Sequence, residues 1–117
     1  MKTNVYSRDC PSQGILTLIG SKWSMLILCS LKDGARRTHE LKRRLGGVSS
    51  KMLTQTLREL VRHGIVSRKD YGELPPRVEY SLTPLGRSLA LLVRQIEDWV
   101  ESNYSRMTRI ARSLEAR

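Results

Sequence analysis

The chain has 117 residues, 39% apolar and 27% charged, which is room for one domain with a hydrophobic core and far from disordered composition. Its 21 Lys and Arg against 11 Asp and Glu leave a formal charge of +10, which points to a polyanionic partner, either nucleic acid or an anionic membrane surface. No run approaches the roughly 20 apolar residues of a membrane span, no signal-peptide pattern opens the chain, and Cys10 and Cys29 are too few and too far apart for a disulfide or zinc scaffold, so a cytoplasmic protein without metal or cofactor is expected.

Pro11 can start a first helix carrying Ile15, Leu16, Leu18 and Ile19 to Gly20. Lys22 to Lys32 reads as a second helix, almost wholly apolar through Leu31 and ended by Asp33-Gly34; lacking a polar face, it is expected to be buried on most sides. Thr38 is placed to cap a short third helix, with Glu40 in its first turn and Leu41 and Leu45 four apart, stopped by Gly46-Gly47. Ser49 then caps a fourth helix reaching about His63. Beyond Gly64 the period changes to two, and Ile65 to Tyr71 and Arg77 to Leu82 read as strands around a Gly72-Glu73-Leu74-Pro75-Pro76 tip. Thr83-Pro84, a cap followed by a proline at the first helical position, opens a long final helix with apolar residues recurring from Leu85 to Leu114.

A short helix, a glycine turn and a longer helix make a helix-turn-helix, and a hairpin directly afterwards makes the winged version. The predicted fold is mainly α with a small β-hairpin. One winged helix-turn-helix domain spans 1–117, with the helix-turn-helix at about 38–63 and the wing at about 65–82. Helices at about 11–20 and 84–115 are expected to dimerise, because a final helix roughly 45 Å long is too long for so small a domain to cover its apolar stripe.

Residues 36–69 hold ten basic and two acidic side chains, so most of the excess charge lies in under a third of the chain. Around the fourth helix, at about 100° per residue, Ser50, Lys51, Thr54, Gln55, Arg58 and Arg62 share one arc. Met52, Leu53, Leu57 and Leu60 lie opposite, and Val61 is the one apolar residue inside the polar arc. That inventory suits a DNA major groove: Arg or Lys to guanine, Gln to adenine, Ser and Thr to bases or phosphates. The helix start from Ser49 offers free N–H groups to a phosphate. The bland reading is an ordinary amphipathic surface helix; the glycine turn, the basic segment and the following hairpin favour the nucleic-acid one. Arg36 and Arg37 are candidates for phosphate contacts. Arg77, beside the hairpin tip, suits a minor groove or, equally, an ion pair with Glu73 or Glu79.

Catalysis finds no support: His39 and His63 stand alone, Glu97-Asp98 reads as the solvent side of the last helix, and no triad, phosphate loop or metal spacing occurs. The stronger rival is a winged helix that binds RNA, or packages DNA, by charge alone. With six aromatics, no Phe, and Trp23, Trp99 and Tyr80 read as core, stacking platforms for RNA are lacking, so sequence-specific double-stranded DNA is the expected partner.

Three segments carry a resemblance: Leu18-Ile19-Gly20-Ser21-Lys22-Trp23, then Ser50-Lys51-Met52-Leu53-Thr54-Gln55-Thr56-Leu57-Arg58-Glu59-Leu60, then Pro75-Pro76-Arg77-Val78-Glu79-Tyr80-Ser81-Leu82-Thr83. In order and spacing they resemble the HxlR-type family of bacterial winged-helix regulators, from Cys10 to about Trp99. The resemblance implies a homodimeric transcription factor related to the MarR group, with the fourth helix in the major groove and the hairpin as wing. It also implies a role for Cys10-Pro11, since several members sense electrophiles or oxidants with a cysteine placed so. A helix N-terminus and Arg8 would both lower the Cys10 thiol pKa, while an unreactive tail cysteine is the alternative. Cys29 reads as a buried small hydrophobe. The tail with Arg106, Arg109, Arg112 and Arg117 extends past the family pattern.

Overall fold

The structure is a computed structural model that describes Asn4, Tyr6 and residues 11–116. Helix α1 (Pro11–Ile19) opens at its proline, and Ser21 accepts the Ser24 N–H to start α2 (Lys22–Ser30). Ser49 accepts the Met52 N–H at the start of α4 (Ser50–Arg62), and Thr83 accepts the Gly86 N–H before Pro84 begins α5 (Pro84–Glu115). Each cap removes one of the orphan donors of a helix's first turn.

The start of α3 (Thr38–Arg44) differs from expectation. Two residues of extended chain, β1 (Arg36–Arg37), run straight into the helix, so Arg37 holds the cap position and Thr38 is already helical. No side chain caps the start; instead the Glu40 carboxylate accepts the Arg37 N–H at 3.0 Å. The expected hairpin, β2 (Val66–Asp70) and β3 (Val78–Leu82), therefore becomes a three-stranded antiparallel sheet in the order β1-β3-β2. Its register places Glu79 opposite Lys69 on one side and Arg37 on the other, cross-strand pairs of opposite charge that favour this alignment.

One core joins these elements. Ile27, Leu28 and Leu31 from α2 and its end meet Leu41 and Leu45 of the α3 region, Leu53, Leu57 and Leu60 of α4, Val66 and Leu82 of the sheet, and Ala90 and Val93 of α5. The turn between α3 and α4 fits because Leu45 and Val48 are buried while Gly47 takes a φ of 86°, open to glycine at little cost. Helix α2 is less enclosed than its composition suggests, with Trp23, Met25, Leu26 and Cys29 only partly buried.

Helix α5 leaves this core early. Val93 is its last buried residue, although the helix runs to Glu115. The radius of gyration is accordingly 17.1 Å, against about 13 Å for a compact chain of this length. Trp99, read from the sequence as core, is 58% exposed in a stripe with Leu92, Ile96 and Ile110. Met52, placed with the core face of α4, is 41% exposed. No helix among the described residues is long and apolar enough to cross a membrane.

The first turn of α5 is locked to the start of the sheet. Thr83 donates its N–H to the Ile65 carbonyl at 3.2 Å, and its hydroxyl lies 2.6 Å from the Gly64 carbonyl and 3.0 Å from that of Ile65. Gly86 packs so closely that a Cβ there would stand 2.0 Å from the Ile65 carbonyl oxygen. Gly86→Ala is therefore expected to cost about 1–3 kcal/mol of stability. Gly14→Ala, whose Cβ would meet nothing within 4 Å, should instead gain up to about 1 kcal/mol. Denaturant midpoints of the two variants check this, and an unchanged midpoint in Gly86→Ala would show that α5 is not locked there.

Candidate nucleic-acid interface

With Leu53, Leu57 and Leu60 buried, the opposite side of α4 is turned out. Ser50, Lys51, Thr54, Gln55 and Arg58 line one shallow concavity of about 550 Å³, with Glu59 at its edge. Five of the predicted residues are thus brought together. Ser49 is spent on the cap, which leaves the N–H groups of Ser50 and Lys51 without intrahelical acceptors. Arg62 lies at the far end of the helix and pairs with Glu59 at 3.4 Å.

The charge around this face is poorly compensated. The only two acids of the 36–69 segment are occupied by near neighbours in the chain: Glu40 by the Arg37 N–H and by Arg36 at 4.0 Å, Glu59 by Arg62 and His63. Among the described residues no ion pair forms to Lys51, Arg58 or the exposed Lys42 and Arg43. Lys42 was not among the predicted residues, yet its Nζ donates to Ser50 Oγ and brings a cation from α3 to the start of α4. Its sequence signal is its place among the ten basic residues of the 36–69 segment; the helical wheel of α4 cannot show a neighbour from across the turn.

The other candidates stand apart from that concavity and have partners. Arg36 donates through Nε to the Ser30 carbonyl at 2.6 Å, so its guanidinium ties β1 to the end of α2. Arg37 makes only a 3.4 Å contact to the Pro76 carbonyl through its guanidinium. Arg77 sits over the Tyr71 ring at 4.1 Å and pairs with Glu79 at 3.4 Å and Glu73 at 4.0 Å. Tyr71 donates its hydroxyl to Glu79 at 2.7 Å. That hydrogen bond is the main reason the Tyr71 pKa is raised and the Glu79 pKa lowered, with Arg77 adding to the latter. Of the two readings of Arg77, the ion pair is the one present in the free chain.

A family model for HxlR-like helix-turn-helix proteins matches residues 18–108. The chain belongs to this family. The HxlR-like match runs past Trp99, so Arg106 falls inside the pattern, and Arg109, Arg112 and Arg117 lie beyond it. The HTH-type transcriptional regulator YtfH of Escherichia coli is 44% identical over 100 residues, covering 86% of this chain and 79% of that one. Among solved structures, the transcriptional regulator ytfH from Salmonella typhimurium superposes with a TM-score of 0.90 at 40% identity, covering 95% of this chain and 99% of that one. The redox regulator HypR in its reduced form superposes with a TM-score of 0.77 at 40% identity, over 85% of this chain and 98% of its own. This HxlR-like chain is a helix-turn-helix transcriptional regulator with a winged-helix fold.

The two cysteines of this HxlR-like chain differ in what can be said of them. Cys10 lies outside the described residues. Cys29, on α2, donates its thiol to Glu97 Oε1 at 3.1 Å, so Glu97 faces α2 and not solvent as the sequence suggested. Burial, then the Glu97 hydrogen bond and charge, push the thiol from the ordinary 9.0 up to about 12. Since the folded pKa exceeds the unfolded one, the stability held by the protonated thiol is complete below about 9 and is lost as pH rises towards about 12. In a Cys10→Ser background, iodoacetamide at pH 8 is expected to modify Cys29 roughly a hundredfold or more slowly than in the unfolded chain. Equal rates would contradict the Glu97 contact.

Proposed function

We propose that this regulator is a homodimer that binds double-stranded DNA sequence-specifically, with α4 in the major groove. The observation that carries the reading is the outward face of α4, where Ser50, Lys51, Thr54, Gln55 and Arg58 share one concavity and neither cation has an ion-pair partner among the described residues. Arg58 and Lys51 present donors matched to guanine, Gln55 matches adenine, and Ser50 and Thr54 serve bases or phosphates. The free N–H groups at the helix start receive a phosphate, with Lys42 beside them. Residues 38–63 then form the reading unit and 65–82 the wing, and a cytoplasmic location follows from the partner.

Dimerisation is supported by what the protomer leaves uncovered. Leu85, Leu92, Ile96, Trp99, Met107 and Ile110 are exposed on α5, and Ile15 and Leu16 are exposed on α1, which has no buried residue. A row of exposed apolar side chains of this kind marks a surface that another chain can cover. Pairing α5 and α1 between copies would set two reading heads about 34 Å apart or a related helical spacing. Trp99→Glu is expected to give a monomer by light scattering at micromolar concentration and to abolish tight operator binding; a wild-type chain that is already monomeric would overturn the dimer.

Arg58→Ala is expected to cost about 1–3 kcal/mol per half-site and to relax base preference. Arg37→Ala, whose guanidinium is only loosely held, should weaken all duplexes alike and reduce the salt dependence. Arg36→Ala should act mainly on stability, because Arg36 holds the Ser30 carbonyl. Competition among operator duplex, random duplex and RNA checks these outcomes. Equal affinity for all three would favour the rival, a nucleic-acid binder that uses charge alone. Unchanged binding in Arg58→Ala would put the wrong face in the groove.

A second reading adds redox sensing through Cys10. It is favoured by the likeness to HypR, described as a redox regulator in reduced and oxidised forms, and by the place of Cys10 directly before Pro11, where α1 begins. Oxidising Cys10 would alter α1 at the proposed dimer contact and tilt one head against the other. Operator affinity should change on mild oxidation in the parent chain and not in Cys10→Ser, with Cys29→Ser responding like the parent.

A further inference from the structure

We infer that the cavity between the end of α2 and the first half of α5 binds a small organic anion, a carboxylate carried on an apolar body. The cavity holds about 350 Å³, within the roughly 300–1,000 Å³ range of small-molecule sites. Its floor is apolar: Leu82 and Ala90 are buried there, and Leu91 forms one side. Lys32, Arg87 and Arg94 line the same space, and none of the three is in an ion pair with a described residue.

Two carboxylates, Asp33 and Glu97, share the lining, so the cations outnumber the acids. Glu97 is turned towards Cys29, whose thiol donates to it at 3.1 Å, and neither Lys32 nor Arg94 comes within ion-pair distance of it. The thiol stays protonated at neutral pH, with its pKa up to about 12, so it adds no negative charge to the wall. Arg87 and Arg94 are two turns apart, about 10 Å along α5, with Leu91 between them on the same side. That spacing lets one arginine hold a carboxylate while the apolar body of the ligand lies on Leu91, Ala90 and Leu82.

The cavity also remains open in the proposed dimer. Counting about 100° per residue from Leu85, Leu92, Ile96 and Trp99 stay within about 40° of it, whereas Arg87 and Arg94 fall on the opposite side and Leu91 about 120° round. A second cavity of about 290 Å³ shares Cys29, Lys32 and Glu97 and reaches Arg44 and Leu45 at the end of α3. An anion drawn between Lys32 and Arg94 therefore pulls α2 and α5 together one wall away from the helix-turn-helix. It acts on the joint between the reading head and the long helix.

The test uses the full chain without DNA, so its failure is separable from failure of the DNA-binding reading. Methyl-labelled protein is titrated by NMR with benzoate, benzyl alcohol, benzylamine and inorganic phosphate. Benzoate is expected to shift the Leu82, Ala90 and Leu91 methyls with a Kd on the order of 1 mM, and the alcohol and amine to bind far more weakly. Arg94→Gln and Arg87→Gln should each weaken benzoate roughly tenfold, and Arg109→Gln, outside the cavity, should not. The inference is overturned if benzoate leaves those methyls unmoved or if benzylamine binds equally well. It is also overturned if phosphate competes equally, which would mean the apolar floor plays no part, or if neither cavity arginine matters.

Discussion

Burial of Leu53, Leu57 and Leu60 on one side of α4 decides what its other side can do. Each of these leucines is 1% exposed or less, and burying such a side chain contributes about 1.5–3 kcal/mol. Turning the helix by one residue would exchange Leu53 for Thr54 and Leu57 for Arg58, placing an unpaired guanidinium in the core at a prohibitive desolvation cost. The orientation of Ser50, Lys51, Thr54, Gln55 and Arg58 is therefore a consequence of core packing. The partners of those leucines on α2, α3, the sheet and α5 make the reading face a property of the whole domain.

The second constraint is the junction at Ile65. Its carbonyl receives the Thr83 N–H and lies within reach of the Thr83 hydroxyl, while Gly86 closes against it without room for a side chain. The wing and the long helix thus meet through a few backbone atoms that cannot drift independently. Motion at α5, whether from the proposed dimer contact or from an occupant of the cavity beside Arg94, reaches the reading head through this joint and through α2. Glu79 plays a comparable part within the wing, gathering the Tyr71 hydroxyl and Arg77 and standing opposite Lys69 and Arg37.

Much of this was legible in the sequence because the signals are local. Ser49 and Thr83-Pro84 mark helix starts by side-chain capping, Gly47 marks the turn, and the α4 wheel separates core from outward face. What escaped depends on partners distant in the chain. The strand at Arg36 and Arg37 is two residues long and exists only through pairing with Tyr80 and Glu79. Trp99 is large and apolar, and sequence alone cannot say whether such a residue on a long helix covers its own core or waits for another surface. Glu97 looked solvated beside Asp98, and only the packing of α2 on α5 shows that Cys29 donates to it. Arg77 carried two readings of equal standing, and the contacts to Tyr71, Glu73 and Glu79 were needed to describe its free state.

The central claim is that a fixed polar face on α4, presented twice by a symmetric pair, reads DNA sequence. The most direct measurement is selection of bound duplexes from a random library on the immobilised full-length chain, followed by sequencing. The account predicts enrichment of a two-fold symmetric site whose half-site centres lie one helical turn, about 10 base pairs, or a multiple apart. Recovery of no preferred sequence, or of a single unrepeated half-site, would contradict it.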